Sequence, residues 1–144
     1  STGLAIFGTW DGNIYALNIE DGTESWRVPV GGAMQGSVAL DDEQGRVYAP
    51  SPRNPSMHAI DRDSGEVFWT QDIGGTASSP AISGDRGRIV VGSSASKVVA
   101  LDAQTGAIIW EFETDGLVSS SPVLVGDMIY VAAKNGSLYA LRTF

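Results

Sequence analysis

Few side chains in this sequence are suited to chemistry. One histidine, His58, stands among 17 acids and 9 bases, and there is no cysteine. A lone imidazole needs a nucleophile and an orienting acid before it can run a triad. No Gly-x-Ser-x-Gly elbow, phosphate loop or paired-carboxylate spacing accompanies it. The missing cysteines remove disulfides, thiolate chemistry and Cys-built zinc or iron–sulfur sites. Asp61 and Asp63 form an Asp-x-Asp pair, and Asp102 recurs in the same setting. Calcium takes about six to eight oxygen ligands, and the further oxygens of an Asp-x-Asp-x-Asp-Gly loop are missing. The pattern instead predicts an acid capping the backbone of its own turn, which Asn18 can do equally well. No catalytic, cofactor-binding or metal-ligating residue is assigned.

The elements around these residues are set by a repeat. Trp26, Trp69 and Trp110 are spaced by 43 and 41 residues, and each follows a glycine at one offset: Gly22, Gly65 and Gly106. Four residues before each glycine stands Asn18, Asp61 or Asp102, preceded by Leu17, Ile60 or Leu101. Upstream, Ala77-Ser78-Ser79-Pro80-Ala81-Ile82 matches Ser119-Ser120-Ser121-Pro122-Val123-Leu124, and Met34-Gln35-Gly36-Ser37-Val38-Ala39 is a weaker copy. Each unit reads as four short strands rich in Val, Ile, Tyr and Trp, punctuated by Gly, Asp, Asn and Ser. Over residues 74–114 these are Ser79 to Ile82, Arg88 to Gly92, Lys97 to Asp102 and Ala107 to Glu113. Asp11-Gly12 and Asn135-Gly136 read as tight two-residue hairpin tips. No apolar stripe at helical spacing runs through three turns. A period of about 40–45 residues with four strands per unit predicts an all-β fold, a β-propeller of four-stranded antiparallel blades.

Asp/Asn-x-x-x-Gly-x-x-x-Trp after a strand ending apolar-Ala-apolar resembles the tryptophan-docking repeat of quinoprotein-like (PQQ-repeat) β-propellers. It occurs after Tyr15-Ala16-Leu17, His58-Ala59-Ile60 and Val99-Ala100-Leu101. That family holds quinone-dependent alcohol dehydrogenases and the propeller lipoprotein of the outer-membrane barrel-assembly machinery, and the chain resembles the latter more. The resemblance implies that Trp26, Trp69 and Trp110 dock neighbouring blades through Gly22, Gly65 and Gly106. A flat indole on a peptide plane buries much area and leaves its N–H free for a carbonyl. PQQ enters by family resemblance only. The dehydrogenases pair adjacent cysteines and a calcium-bound aspartate with that cofactor, and this chain has no Cys.

Residues 1–144 are expected to form one partial propeller domain, with blades at 3–30 (partial), 31–73, 74–114 and 115–144 (partial). That is about three and a half to four blades, half of an eight-bladed ring of the size this family uses. Arg142 stands where Asn18, Asp61 and Asp102 stand, and the chain stops at Phe144. The partners expected are a second copy, or the remainder of a larger propeller, and other proteins.

The net charge of −8 disfavours nucleic acid, and no apolar run approaches the length of a membrane helix. No signal peptide is visible, and an extracytoplasmic or cell-surface site follows from resemblance alone. His58 occupies the slot of Tyr15, Val99 and Tyr139, which makes it a strand residue with a special side chain. The insertion before it contains Pro52, Arg53, Asn54 and Pro55, and is either an interaction loop or a stiffened, tolerated insertion. Ser37, Ser78, Ser79 and Ser119 to Ser121 fall on the innermost strand, where small side chains let strands converge. The function expected is a non-catalytic propeller scaffold for protein–protein interaction. The alternatives are a fragment of a PQQ-dependent dehydrogenase or a ligand-sensing propeller of a larger protein.

Overall fold

The computed structural model describes residues 3–53 and 55–142. Fourteen strands form four antiparallel sheets, each one blade, and the described residues contain no helix. Blade 1 holds β1 (Leu4–Gly8), β2 (Asn13–Asn18) and β3 (Glu24–Pro29). Blade 2 holds β4 (Ala39–Asp41), β5 (Arg46–Pro50), β6 (Met57–Asp61) and β7 (Val67–Gln71). Blade 3 holds β8 (Ala81–Ile82), β9 (Arg88–Ser93), β10 (Lys97–Asp102) and β11 (Ile108–Glu113). Blade 4 holds β12 (Val123–Val125), β13 (Met128–Ala132) and β14 (Leu138–Arg142). In the two four-stranded blades the strands lie side by side in chain order. The inner strands are short, with two residues in β8 and three in β4 and β12. Pro80 and Pro122 stand just before β8 and β12, where a missing N–H limits how far the ladder extends.

Alternation within each strand sends neighbouring residues to opposite blade faces. Three cores result, each shared by two successive blades. Ile14, Ala16 and Trp26 of blade 1 meet Val47, Ala49 and Ile60 of blade 2. Tyr48, Met57 and Ala59 meet Ile89, Val91, Val99 and Leu101. Val90, Val98 and Ala100 meet Ile129 and Val131. Blades 2 and 3 therefore each have a face turned toward the blade before and another turned toward the blade after.

A register shift recurs at one place in blades 1, 2 and 3. It follows Ala16, Ala59 and Ala100, which pair across the ladder with Trp26, Trp69 and Trp110. The bulge twists the outer strand locally, and the small alanine lies opposite the indole.

The hairpin tips differ from the two-residue turns that Asp-Gly and Asn-Gly suggest. Thr9 to Gly12 form a four-residue loop between β1 and β2, and only Gly12 has positive φ there. Ala133 to Ser137 likewise separate β13 from β14, with Gly136 at positive φ. Local hydrogen bonds decide the outcome. Thr9 N–H donates to Asn13 O at 3.0 Å, and Asp11 accepts from the Asn13 N–H at 3.1 Å. These close a longer loop in which a single left-handed glycine suffices.

Candidate functional site: docking seams and loop face

The blade seams are built from the repeated residues. Trp26 Nε1 donates to Arg62 O at 2.9 Å, and Trp69 Nε1 donates to Ala103 O at 3.1 Å. Each acceptor lies one residue past the turn aspartate, Asp61 or Asp102. The indoles lie against the turn glycines: a Cβ on Gly65 would meet Trp26 atoms at 2.9 Å, and one on Gly106 would meet Trp69 at 2.5 Å. Arg46 Nη1 (2.9 Å) and the Tyr48 hydroxyl (3.3 Å) also donate to Ala103 O, making that carbonyl the hub of the seam between blades 2 and 3. Gly22 has nothing within 4 Å of a Cβ position, so no indole is brought to it. Trp110 Nε1 is buried with no acceptor among the described residues.

The aspartates cap the turns that hold those carbonyls. Asp61 Oδ1 accepts from the N–H groups of Asp63 (3.0 Å) and Ser64 (2.8 Å) and from the Ser64 hydroxyl (2.9 Å). Asp102 Oδ1 accepts from Gln104 N (2.9 Å), Thr105 N (2.8 Å) and Thr105 Oγ1 (3.0 Å). The Ser64 and Thr105 N–H groups are the main cause holding both carboxyls below the usual 3.8. All the accepting capacity on Oδ1 is spent inside the turn.

Around the channel, serines bond across blades. Ser37 N donates to Ser79 Oγ at 2.8 Å and Ser79 N to Ser121 Oγ at 3.2 Å, while Ser78 Oγ donates to Ser120 O at 3.0 Å. A second serine pair was not singled out from the sequence. Ser51 Oγ, fully buried, lies 2.9 Å from both Val30 O and Gly31 O, and Ser93 Oγ donates to Ile73 O. Each hydroxyl ties the end of a second strand to the connector entering its blade. Their 42-residue spacing was the available signal, blurred because Ala133 takes that place in blade 4.

Two rims emerge. On one, hairpin loops meet the blade connectors: Val30 N–H donates to Gly12 O, Thr76 N–H to Ser51 O, Ser94 N–H to Gly75 O and Lys134 N–H to Leu117 O. On the other, docking turns meet first-hairpin turns: Arg62 N–H donates to Gly45 O and Ala103 N–H to Gly87 O. The insertion lies on the first rim. Pro52, Arg53 and Pro55 are exposed, and Asn54 falls outside the described residues. A Cβ on Gly75 would meet Pro52 O at 2.7 Å, and one on Gly32 would meet Pro52 Cγ at 3.1 Å, so Pro52 packs closely on both connectors.

The same rim carries Trp10, which is 79% exposed, and which the repeat did not single out. Beside it the Asp11 carboxylate accepts from the Thr9 hydroxyl and from Tyr15 OH at 2.8 Å, and these bonds hold its pKa at about 2. The tip thus presents a bare indole next to a fixed negative charge.

His58 belongs to the seam between blades 1 and 2. It is 4% exposed on β6, opposite Ala49, and its Nδ1 has no partner among the described residues. Burial pushes its pKa below 6.5. Among the described residues, no group of three or more His, Cys, Asp or Glu is placed to hold a metal ion. With no cysteine in the chain and the turn aspartates committed to their own backbone, the residues present do not fit the quinone–calcium arrangement.

Four blades, with indole-on-glycine contacts at two of their three seams, define a tryptophan-docked β-propeller. The family model described as outer membrane protein assembly factor BamB matches residues 10–86 and 53–143, and the chain belongs to that family. The BamB of Shewanella oneidensis is 26% identical over 95% of this chain and 38% of its own length. The BamB of Xanthomonas campestris is 29% identical over 97% of this chain and 36% of its own length. The chain thus spans little more than a third of these relatives. Among solved structures, BamB from Moraxella catarrhalis superposes with a TM-score of 0.78 at 21% identity, covering 98% of this chain and 46% of that one. The computationally designed Ika4 protein (TM-score 0.82, 15% identity) is covered over 88% of its chain and this one over 100%. The quinohemoprotein alcohol dehydrogenase ADHIIG of Pseudomonas putida (0.79, 19%) is covered over 28% of its chain and this one over 95%. These three likenesses show the fold.

Proposed function

We propose that this chain is a non-catalytic propeller scaffold that engages other proteins through its loop rim, outside the cytoplasm, in the assembly of outer-membrane proteins. Membership of the BamB family supports the process. The observation that carries the interaction role is Trp10, a 79% exposed indole on a hairpin whose loop is held by its own hydrogen bonds. Exposed tryptophans on ordered surfaces supply large contact area at small entropic cost and are over-represented among binding hot spots. The rigid blades keep the rim in one shape, so a partner meets it preorganised.

The test is genetic. In a host lacking the gene that carries this chain, the folded fraction of outer-membrane β-barrel proteins is measured by heat-modifiable gel mobility. The expected result is a reduced folded fraction, restored by the unaltered gene and not by its Trp10→Ala version. An unchanged folded fraction on deletion rules the reading out.

A further inference from the structure

The hairpin tip between β1 and β2 differs from its counterparts in the later blades. The place of Trp10 and Asp11 is taken by Ser94 and Ala95 in blade 3 and by Lys134 and Asn135 in blade 4. All six residues are exposed. Blades 3 and 4 are each packed against a preceding blade, so exposure at this place belongs to the tip itself. Of these three tips, that of blade 1 alone sets an indole beside a carboxylate.

The carboxylate is held without being neutralised. Asp11 Oδ1 accepts from the Thr9 hydroxyl and from the Asn13 N–H at 3.1 Å, and Oδ2 accepts from Tyr15 OH at 2.8 Å. All three donors are uncharged, so they fix the group in place and leave its negative charge standing. The bonds from Thr9 and Tyr15 are the main cause that keeps its pKa at about 2. With one bond on Oδ2, acceptor capacity remains on that oxygen. Trp10, at 79% exposure, offers the π-system that attracts a cation.

We propose that Trp10 and Asp11 receive a basic side chain of a partner protein, arginine before lysine, laid on the indole and paired with the carboxylate. This rests on the loop-rim reading above and names the chemistry of what the rim contacts. A guanidinium is planar, stacks on aromatic faces and presents several N–H donors to one carboxylate, so it can meet both side chains together. The chain's net charge of −8 favours the approach of a basic partner. An acidic segment brought to the same tip is repelled by Asp11.

A phage library of random peptides, panned on the folded chain and counter-selected on its Trp10→Ala variant, tests the proposal. Peptides kept by the chain and lost on the variant are expected to carry arginine or lysine. Changing that residue to glutamine in the synthetic peptide, or Asp11→Asn in the chain, weakens binding by about fivefold or more. Trp10→Leu, which keeps apolar area and removes the π face, weakens it likewise, and each variant keeps the far-ultraviolet spectrum of the unaltered chain. Trp10-dependent peptides without a basic residue overturn the proposal, as does binding indifferent to Asp11→Asn. Recovery of no Trp10-dependent peptide overturns it too. The first two outcomes leave the loop-rim reading in place, and the failure of that reading is seen separately, in the folded fraction of outer-membrane proteins.

Discussion

The indole of Trp26 rests on the α-carbon of Gly65, near enough that a Cβ there would lie 2.9 Å from Trp26 Cγ and Cδ2. The pair couples two requirements at one residue. Gly65 has φ +77°, which side-chain-bearing residues rarely adopt, and its missing side chain is the space the indole fills.

The repeat separates these effects. Gly22, Gly65 and Gly106 have φ of 73°, 77° and 74°, yet only Gly65 and Gly106 carry an indole. Gly22→Ala is expected to lose about 1 kcal/mol, the left-handed penalty alone. Gly65→Ala and Gly106→Ala add an overpacking cost of about 1–3 kcal/mol. Urea denaturation of the three variants checks this, and equal losses would remove the docking contribution.

Trp69→Ala empties a large site in the seam between blades 2 and 3, with an expected loss of about 3–5 kcal/mol. Trp69→Phe keeps most of the ring but drops the bond to Ala103 O, costing about 1 kcal/mol beyond the area lost. Denaturant midpoints measure both, and a loss below about half a kcal/mol for Trp69→Ala would refute docking at this position.

Ser51→Ala leaves the carbonyls of Val30 and Gly31 without their hydroxyl donor in a buried setting. The expected loss is about 1–2 kcal/mol. Hydrogen exchange should rise first at the amides of Ser51 and Thr76, which donate to Ser56 O and Ser51 O in that loop.

Protonation of His58 should destabilise the fold. Burial lowers its folded-state pKa below the 6.5 of an unfolded chain, so the unfolded chain binds the proton more readily. Stability is full above pH 6.5 and declines as pH falls from there toward the folded-state value. The turn aspartates Asp61 and Asp102, held below 3.8, lose their contribution only at lower pH, which keeps the two effects apart. Melting temperature followed from pH 7 to pH 5 should slope downward. His58→Val, which copies the residue at Val99, should flatten that slope.

The fold class was legible because one motif is written three times. Trp26, Trp69 and Trp110, with their glycines and Asn or Asp residues, recur at one offset in three blades, and Trp26 with Gly65 and Trp69 with Gly106 make the seams. The inner strands were harder to delimit: Ser79 to Ile82 reads as a strand, but pairing is confined to Ala81–Ile82. The proline before them and the crowding of the blades at the channel account for the difference. Asp11-Gly12 misled because the side chains of Thr9 and Asp11 bond within the loop, which depends on local geometry more than on a dipeptide. Trp10 was not distinguished at all. It stands where blades 3 and 4 carry Ser94 and Lys134, and its exposure comes from its place at a hairpin tip, which composition does not record.

The interaction role rests on the loop rim being the contacted surface. The most direct measurement places a photo-crosslinking amino acid at Trp10 on that rim, or at exposed Gln104 on the docking-turn rim, in living cells of the host. Light-dependent adducts with outer-membrane assembly proteins are expected from position 10 and not from position 104. Adducts from position 104 alone, or from neither, would contradict a scaffold that works through its loop rim.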